Sequence, residues 1–525
     1  MNDPITSAEG ITAGLSQPYG SFPQVLADWA RVQPGKPALR DEDGEITWGE
    51  LGDRIERIAA RLIEDGLERG QSVAILGTST VPYALVFLAA VRAGGVAAPL
   101  TTSASAEQLA GMAKDSGAKH IFVDRAKLAE LGDDAFPGMT RIVLDEELGD
   151  WMAPAGTTAP PFDPDERDPF NIIYSSGTTG IPKGIVHSHL MRWRQFATTA
   201  SAFAASGMDP VSLASTPLYS NTTMVAFLAP LLAGGTVRVM GKFDSRRWLA
   251  HAEADRTRVT MLVPVQYQRL MAEPTFGDFD LSNLAVKYCT SAPFSAELKR
   301  EVLDRMPGTL TEIYSMTEGG VVCLLNAHEF PDKLHTVGRP SPVSELKVLD
   351  DEDRPVPPGT PGNLVGRSPT MMSGYKNQDA KTREGYWTDP ETGEVWQRMG
   401  DIGRIDADGF VELVGRAKDM IISGGFNIFP SDLETALEAD PRVVEAAVIG
   451  VPSHKWGETP VGFVRLAGGA GEADLPAIMA DTNGKLGKTQ RLAMLHAIDE
   501  MPRSHIGKLL KTELRTIADT LPQPA

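Results

Sequence analysis

Short apolar runs alternating with helical periodicities constrain this chain more than any other feature. Between Thr47 and Leu67, the residues Leu51, Ile55, Ile58, Leu62 and Ile63 recur at helical spacing, and "SVAILGTS" follows as a short buried strand. The segment "YALVFLAAVRAGG" then leads into "VAAPL", and "GAKHIFVD" and "TRIVLD" read as further strands. The alternation returns in "FLAPLLAGGTVRVM", "WLAHAEADRTRVTMLVP" and "LAVKYCTSAP". Strands joined through helices pair in parallel with the helices packed on their faces, so the pattern predicts an α/β fold with a largely parallel sheet.

The texture changes after about Asp332, where Pro, Gly and acidic turns punctuate short stretches of the kind that form antiparallel strands. From Ser431, the helix "DLETALEAD" and the strands "VVEAAVIGV" and "VGFVRL" suffice for a separate α+β domain. The expected organisation is a large N-terminal domain, residues 1–416, made of two α/β subdomains plus a β-rich subdomain, and a small mobile α+β C-terminal domain, residues 417–525. The junction falls within "ELVGRAKDMIISGG".

Charge and cysteine content narrow the function classes. A net charge of −19 over 525 residues argues against general affinity for nucleic acid or anionic membrane, though not against an anionic ligand in a local basic pocket. The two cysteines, Cys289 and Cys323, are too few for a disulfide framework and lack metal-type spacing. Arg and Gly interrupt the most apolar stretches, so no integral membrane span is expected. The N-terminus lacks a basic start with an apolar core, and a cytoplasmic location is expected.

The stretch "YSSGTTGIPKGIVHSH", Tyr174 to His189, follows the apolar "FNIIY". Glycine-exposed N–H groups, the hydroxyls of Ser175, Ser176, Thr178 and Thr179, and the Lys183 ammonium suit phosphate oxygens. It does not fit the Walker spacing. On its own it reads equally as a flexible, hydroxyl-decorated turn.

Its companions resolve the choice. The string resembles the phosphate-loop signature of the adenylate-forming superfamily, which includes acyl-CoA synthetases, luciferase and peptide-synthetase adenylation domains. "YSMTE", "MGDIGRIDADGFVELVGRAKD", "SGGFNIFPSDLE" and "MPRSHIGKLLK" resemble further elements of that family in the family's order. The resemblance implies an ATP-dependent acid–CoA ligase. Such an enzyme makes an acyl-AMP anhydride with release of pyrophosphate, then transfers the acyl group to CoA. ATP, Mg²⁺ and CoA are the implied cofactors and cosubstrates, a small carboxylic acid is the implied partner, and a homodimer is compatible with the sequence.

By the same resemblance, Ser175, Ser176, Gly177, Thr178, Thr179, Gly180 and Lys183 hold the β- and γ-phosphates. Thr317 reaches the α-phosphate, and Glu318 binds the metal. Tyr314, Ser315 and Met316 flank the nucleotide, and Ser291, Ala292 and Pro293 form the wall on the other side of adenine. Asp401 meets the ribose, assisted by Arg416. Lys508 is the adenylation lysine and Lys418 the hinge. Gly424 and Gly425 line the pantetheine tunnel. Trp456 and Lys488 are expected at the CoA nucleotide, although a structural tryptophan and a solvated lysine fit the sequence as well.

Three positions depart from the family pattern: Ser220 where an aromatic or histidine is frequent, Ser315 where glycine is usual, and Phe426 where glutamate is common. The acyl pocket is expected around Tyr219, Ser220, Asn221, Thr223, Met224, Gln266 and Gly319, with no lysine or arginine to receive a second carboxylate. That composition favours an apolar monocarboxylic acid: fatty, aryl, arylalkanoic or a steroid side-chain acid. The alternatives are a stand-alone acyl-AMP ligase that loads a carrier protein, a luciferase-like oxygenase and a non-enzymatic binding protein.

Overall fold

The computed structural model describes residues 7–175, 183–423, 426–453, 456–487, 490–504 and 507–521. The chain resolves into two compact units. The first comprises residues 1–334, 341–345 and 367–397, and the second residues 335–340, 346–366 and 398–525.

The first unit contains two parallel α/β layers. In one, strands Ser72–Leu76, Val96–Pro99, His120–Val123 and Thr140–Val143 pair in parallel. Strand Pro169–Ser175 joins Val96–Pro99 in the same sense, and Lys183–Ser188 returns antiparallel along it. In the other, Val211–Ala214, Thr236–Val239, Val259–Leu262, Val286–Cys289 and Thr309–Met316 are parallel, and Gly319–Asn326 turns back along the last of them. The mixed α/β architecture is the one the alternating pattern predicts.

The expected helix between Thr47 and Leu67 is Trp48–Glu64, started by a reciprocal capping box between Thr47 and Glu50. It buries Leu51, Ile55, Ile58 and Leu62 along one stripe. Helix Val81–Arg92 is apolar nearly all round and sits in the core, with Tyr83, Phe87 and Val86 fully buried. This central position explains why the stretch looks membrane-like in sequence. Among the described residues, no helix is long and apolar enough to cross a membrane.

The second unit holds a hairpin in which Asp401 lies opposite Arg416. It also holds a C-terminal sheet built on the long antiparallel pair Val443–Ser453 and Gly457–Leu466, with Met494–Ala497 parallel to the latter. Helices Pro430–Glu438 and Leu475–Lys485 bury Leu433, Leu437 and Ile478 in this unit's own core.

Candidate active site

In open parallel sheets, ligands bind beyond the carboxyl ends of the strands, where the strand-to-helix loops converge. The second α/β layer has this edge. Tyr219–Thr223 follow strand Val211–Ala214, Val263 begins the loop after Val259–Leu262, Ser291–Pro293 follow Val286–Cys289, and Thr317–Glu318 form the turn after Thr309–Met316.

The Thr317–Glu318 turn is held from three directions. The Thr317 carbonyl lies 2.8 Å from His187 Nε2, the Tyr375 hydroxyl donates to Glu318 Oε1 at 2.9 Å, and Met372 N donates to the Glu318 carbonyl at 2.8 Å. The turn itself needs glycine. Gly319 has φ +89°, and a Cβ there would lie 2.3 Å from the Thr370 carbonyl oxygen.

Lys183, at the start of its strand, stands with its ammonium 5.2 Å from the centre of the Tyr375 ring. Tyr375 reaches it because Gly374–Tyr375 pairs antiparallel with Lys183–Ser188. Partial burial and the neighbouring Lys381 pull the Lys183 pKa below the ordinary lysine value, against the opposing pull of Glu318. Burial and the Glu318 charge together push the Tyr375 phenol upward, which keeps it a donor. Lys183, Glu318, Thr317 and Tyr375 thus form one cluster of the kind that binds phosphate and a hard cation. Of the phosphate loop, Ser175 ends strand Pro169–Ser175, whereas Ser176, Gly177, Thr178, Thr179 and Gly180 lie outside the described residues.

The turn is also tied to a buried arginine. Ser188 caps helix His189–Ala205, and that strand-to-helix corner folds Arg192 back onto the preceding strand. Arg192 is fully buried. Its Nη2 donates to His187 Nδ1 at 2.8 Å, its Nε to Asn171 Oδ1 at 2.8 Å, and its Nη1 to Gln195 Oε1 at 2.7 Å and Asn221 Oδ1 at 2.9 Å. Since guanidinium only donates and carbonyl only accepts, His187 is fixed as the neutral tautomer protonated on Nε2. Burial first and Arg192 second hold its pKa well below the ordinary histidine value.

Around the expected acyl pocket, Ser220 caps the turn Asn221–Thr223 by accepting from Thr222 N at 3.3 Å. Tyr219 is buried, and burial raises its phenol despite the hydroxyls of Thr101, Thr102 and Ser103 nearby. Thr223 bonds Thr216 Oγ1 at 2.8 Å, and Met224 is fully buried at the start of the next helix. Gln266 uses both ends of its amide on backbone, accepting from Val263 N at 3.1 Å and donating to the Ser215 carbonyl at 3.1 Å. Ser291 adopts φ +82°, a conformation suited to glycine, and its hydroxyl lies 2.5 Å from Thr222 Oγ1. Ala292 is half-buried and Pro293 exposed, while Tyr314, Ser315 and Met316 form the half-buried, bulged end of their strand.

In the second unit, Arg416 Nε lies 2.9 Å from Asp401 Oδ1, with the aspartate nearly buried. Lys508 sits on a tight loop in which its N–H donates to Ser504 Oγ at 3.1 Å and its carbonyl accepts from Ser504 N at 2.8 Å. The side chain keeps an exposed surface. Crowding by protein atoms first, then Arg416 and Lys418, nevertheless lowers its pKa, while Asp401 and Asp419 oppose the shift. The loop therefore gathers Lys508, Arg416, Lys418 and Asp401 in one electrostatic neighbourhood. Phe426 and Trp456 are exposed large hydrophobics, and Gly424, Gly425 and Lys488 lie outside the described residues.

Comparison with known proteins decides what this arrangement belongs to. The family model described as AMP-binding enzyme matches residues 26–376, and that of the AMP-binding enzyme C-terminal domain matches residues 432–508. The chain belongs to the AMP-binding enzyme family. It is an adenylate-forming enzyme of the AMP-forming acid–thiol ligase type, for which ATP and CoA are the family's substrates. It is 33% identical to a feruloyl-CoA synthase of Amycolatopsis sp., over 94% of this chain and 99% of the relative. It is 30% identical to the fatty acid–[acyl-carrier-protein] ligase ScoC of Streptomyces coeruleorubidus, over 94% and 95%. Among solved structures it resembles ATP-bound MatB from Rhodopseudomonas palustris at 29% identity and a TM-score of 0.80, covering 94% of this chain and 98% of that one.

His187, Arg192, Asn171 and Tyr375 escaped the sequence reading of this AMP-binding enzyme. His187 lies inside the quoted motif but carries no spacing signal, and Tyr375 lies 57 residues from the carboxylate it contacts.

Proposed function

We propose that the protein is an ATP-dependent acid–CoA ligase for an apolar monocarboxylic acid, with an aryl or arylalkanoic body as the leading class. The proposal is carried by the pinned Thr317–Glu318 turn with Lys183 on the same tyrosine ring. The relative named for a feruloyl group supports the aryl reading, and the absence of lysine and arginine between Tyr219 and Met224 supports an acid with a single carboxylate.

The chemistry to be performed is the joining of a carboxylate to the α-phosphorus of ATP. Two anions must meet, so the enzyme's task is positioning and charge compensation. Lys183 and the loop from Ser175 hold the leaving pyrophosphate end, and Thr317 orients the α-phosphate. Mg²⁺ is usually held by one or two carboxylates together with substrate phosphates, and the single carboxylate of Glu318, oriented by Tyr375, fits that role. When bound, the ion supplies charge neutralisation on the phosphates.

Asp401 accepts from the ribose hydroxyls. Lys508 supplies positive charge to the acyl carboxylate and α-phosphate. Rotation of the segment after Lys418, with a domain boundary at 416/417, then opens the way for the thiol of CoA, past Gly424 and Gly425. A second reading, transfer to a carrier protein, is favoured by the likeness to ScoC.

A pyrophosphate-release screen over acids of graded size, with and without CoA and with thioester read by mass, tests the proposal. Adenylate without thioester would sink the CoA-ligase reading in favour of the carrier reading. Lys508→Met is expected to slow adenylation by roughly 10²–10³-fold. Because the charged ammonium is the active form, the alkaline limb of wild-type adenylation is expected below the ordinary lysine value, and Lys508→Arg moves it upward.

A further inference from the structure

Arg192 is an expensive residue. A cation removed from water must recover its solvation from the protein, and breaking up such a group costs more than it does at a surface. Burial lowers its pKa to about 9, so it remains charged at neutral pH. Among the described residues its hydrogen-bond partners are all neutral: Asn171, His187, Gln195 and Asn221. Four of its five N–H groups are therefore committed, and it has little capacity left for a substrate.

What its partners touch shows what it does. Asn221 belongs to the segment beside Ser220 and Thr222 at the expected acid side. His187 donates its Nε2–H to the Thr317 carbonyl at the nucleotide side. One rigid guanidinium plane thus bridges the two segments, with three elements of defined direction: Asn221 accepts from Arg192, Arg192 donates to His187, and His187 donates to Thr317. Planarity matters, because a fork that turns to follow one acceptor must turn away from the others.

We propose that Arg192 is a positioning residue that couples the acid-side segment at Asn221 to the nucleotide-side turn at Thr317. The proposal rests on the assignment of those two segments to acid and nucleotide. Its consequence is that a change at Asn221 is felt by AMP even though Asn221 is not assigned to the nucleotide. Conversely, cutting the link at His187 isolates the two sides.

The test uses AMP alone as the probe, by calorimetry on the full chain. Asn221→Ala is expected to weaken AMP binding by roughly threefold or more, and in a His187→Phe background the same substitution is expected to change it by less than about 1.5-fold, since groups in one network are non-additive. A general loosening of the acid-side turn would weaken AMP equally in both backgrounds, and that result overturns the proposal, as does unchanged AMP affinity in Asn221→Ala itself. Should Asn221→Ala fail to fold, as judged by circular dichroism, Arg192→Lys replaces it in the same pair of backgrounds, because lysine keeps the charge but lacks the fork. A wild-type protein that binds no AMP would instead overturn the functional reading, and this proposal with it.

Discussion

Substituting Gly319 with alanine perturbs the site at the point where its geometry is least forgiving. Two costs combine. The residue has φ +89°, where an L side chain is strained by about 1–2 kcal/mol. The new methyl would also lie 2.3 Å from the Thr370 carbonyl oxygen and 2.6 Å from Met371 Cα, so backbone rather than a flexible side chain must give way. Gly66 separates these terms, since it has φ +85° with nothing within 4 Å of an added Cβ. Gly66→Ala is expected to cost about 1 kcal/mol, and Gly319→Ala about 3 kcal/mol or more. The midpoint and slope of the urea transition of the unit that holds both glycines measure the difference. Displacing the turn moves Thr317 and Glu318, so adenylation should fall roughly 10²-fold in Gly319→Ala and stay near wild type in Gly66→Ala. Equal losses of stability in the two variants, with adenylation intact in Gly319→Ala, would refute the reasoning.

Tyr375→Phe removes the donor to Glu318 but keeps the ring beneath Lys183; a hydrogen bond to a charged group is worth about 1.5–3 kcal/mol when buried, and the half-buried Glu318 should lose less, so kcat/KM for ATP should fall by roughly tenfold, as steady-state kinetics over a Mg²⁺ series will show. His189 is buried against Phe170 and burial lowers its pKa from 6.5 to about 4. The unfolded chain binds the extra proton between those values, so this stability is fully present above pH 6.5 and is lost as pH falls toward 4, by about 3 kcal/mol in all. Urea melts at several pH values should show wild type losing about 3 kcal/mol relative to His189→Phe as pH falls from about 7 to 4, since the variant lacks the titrating group. Ser291→Gly relieves about 1 kcal/mol of left-handed strain and loses a hydroxyl bond to Thr222 of similar worth, so its urea midpoint should stay close to wild type, whereas Ser291→Val should fall well below it.

The layers of this protein were legible because hydrophobic periodicity is a local signal. The stripe from Leu51 to Leu62 and the run "SVAILG" each declare their element within a dozen residues, and the chain folds them as read. The family was legible for a different reason, namely an ordered set of long motifs. Contacts that depend on where the chain returns were not. Tyr375 reaches Glu318 only because a two-residue strand, Gly374–Tyr375, docks on Lys183–Ser188, and nothing in "MMSGYKN" announces that pairing. Gln266, expected at the acyl pocket, also bonds the backbone of Val263 and Ser215 through its amide, a capping contact that can be read only once the helix start is placed. Arg192 in "LMRWRQF" reads as a solvated helix residue beside Arg194, and only the corner at Ser188 turns one of the two arginines inward.

The buried cation also bears on how a chain of net charge −19 accepts a triphosphate. Its global field repels such a ligand, so attraction has to be built locally. Pairing every cation at the site with a carboxylate would satisfy burial but cancel that attraction. The protein instead surrounds Arg192 with amide and imidazole dipoles, which stabilise the charge without neutralising it. It also sets Lys183 close enough to Lys381 that the second lysine contributes to holding the first one's pKa down. Two cations held together cost free energy in the empty site and recover it when a polyanion arrives. The Glu318 carboxylate near Lys183 is held in one orientation by the Tyr375 hydroxyl, which donates to its Oε1.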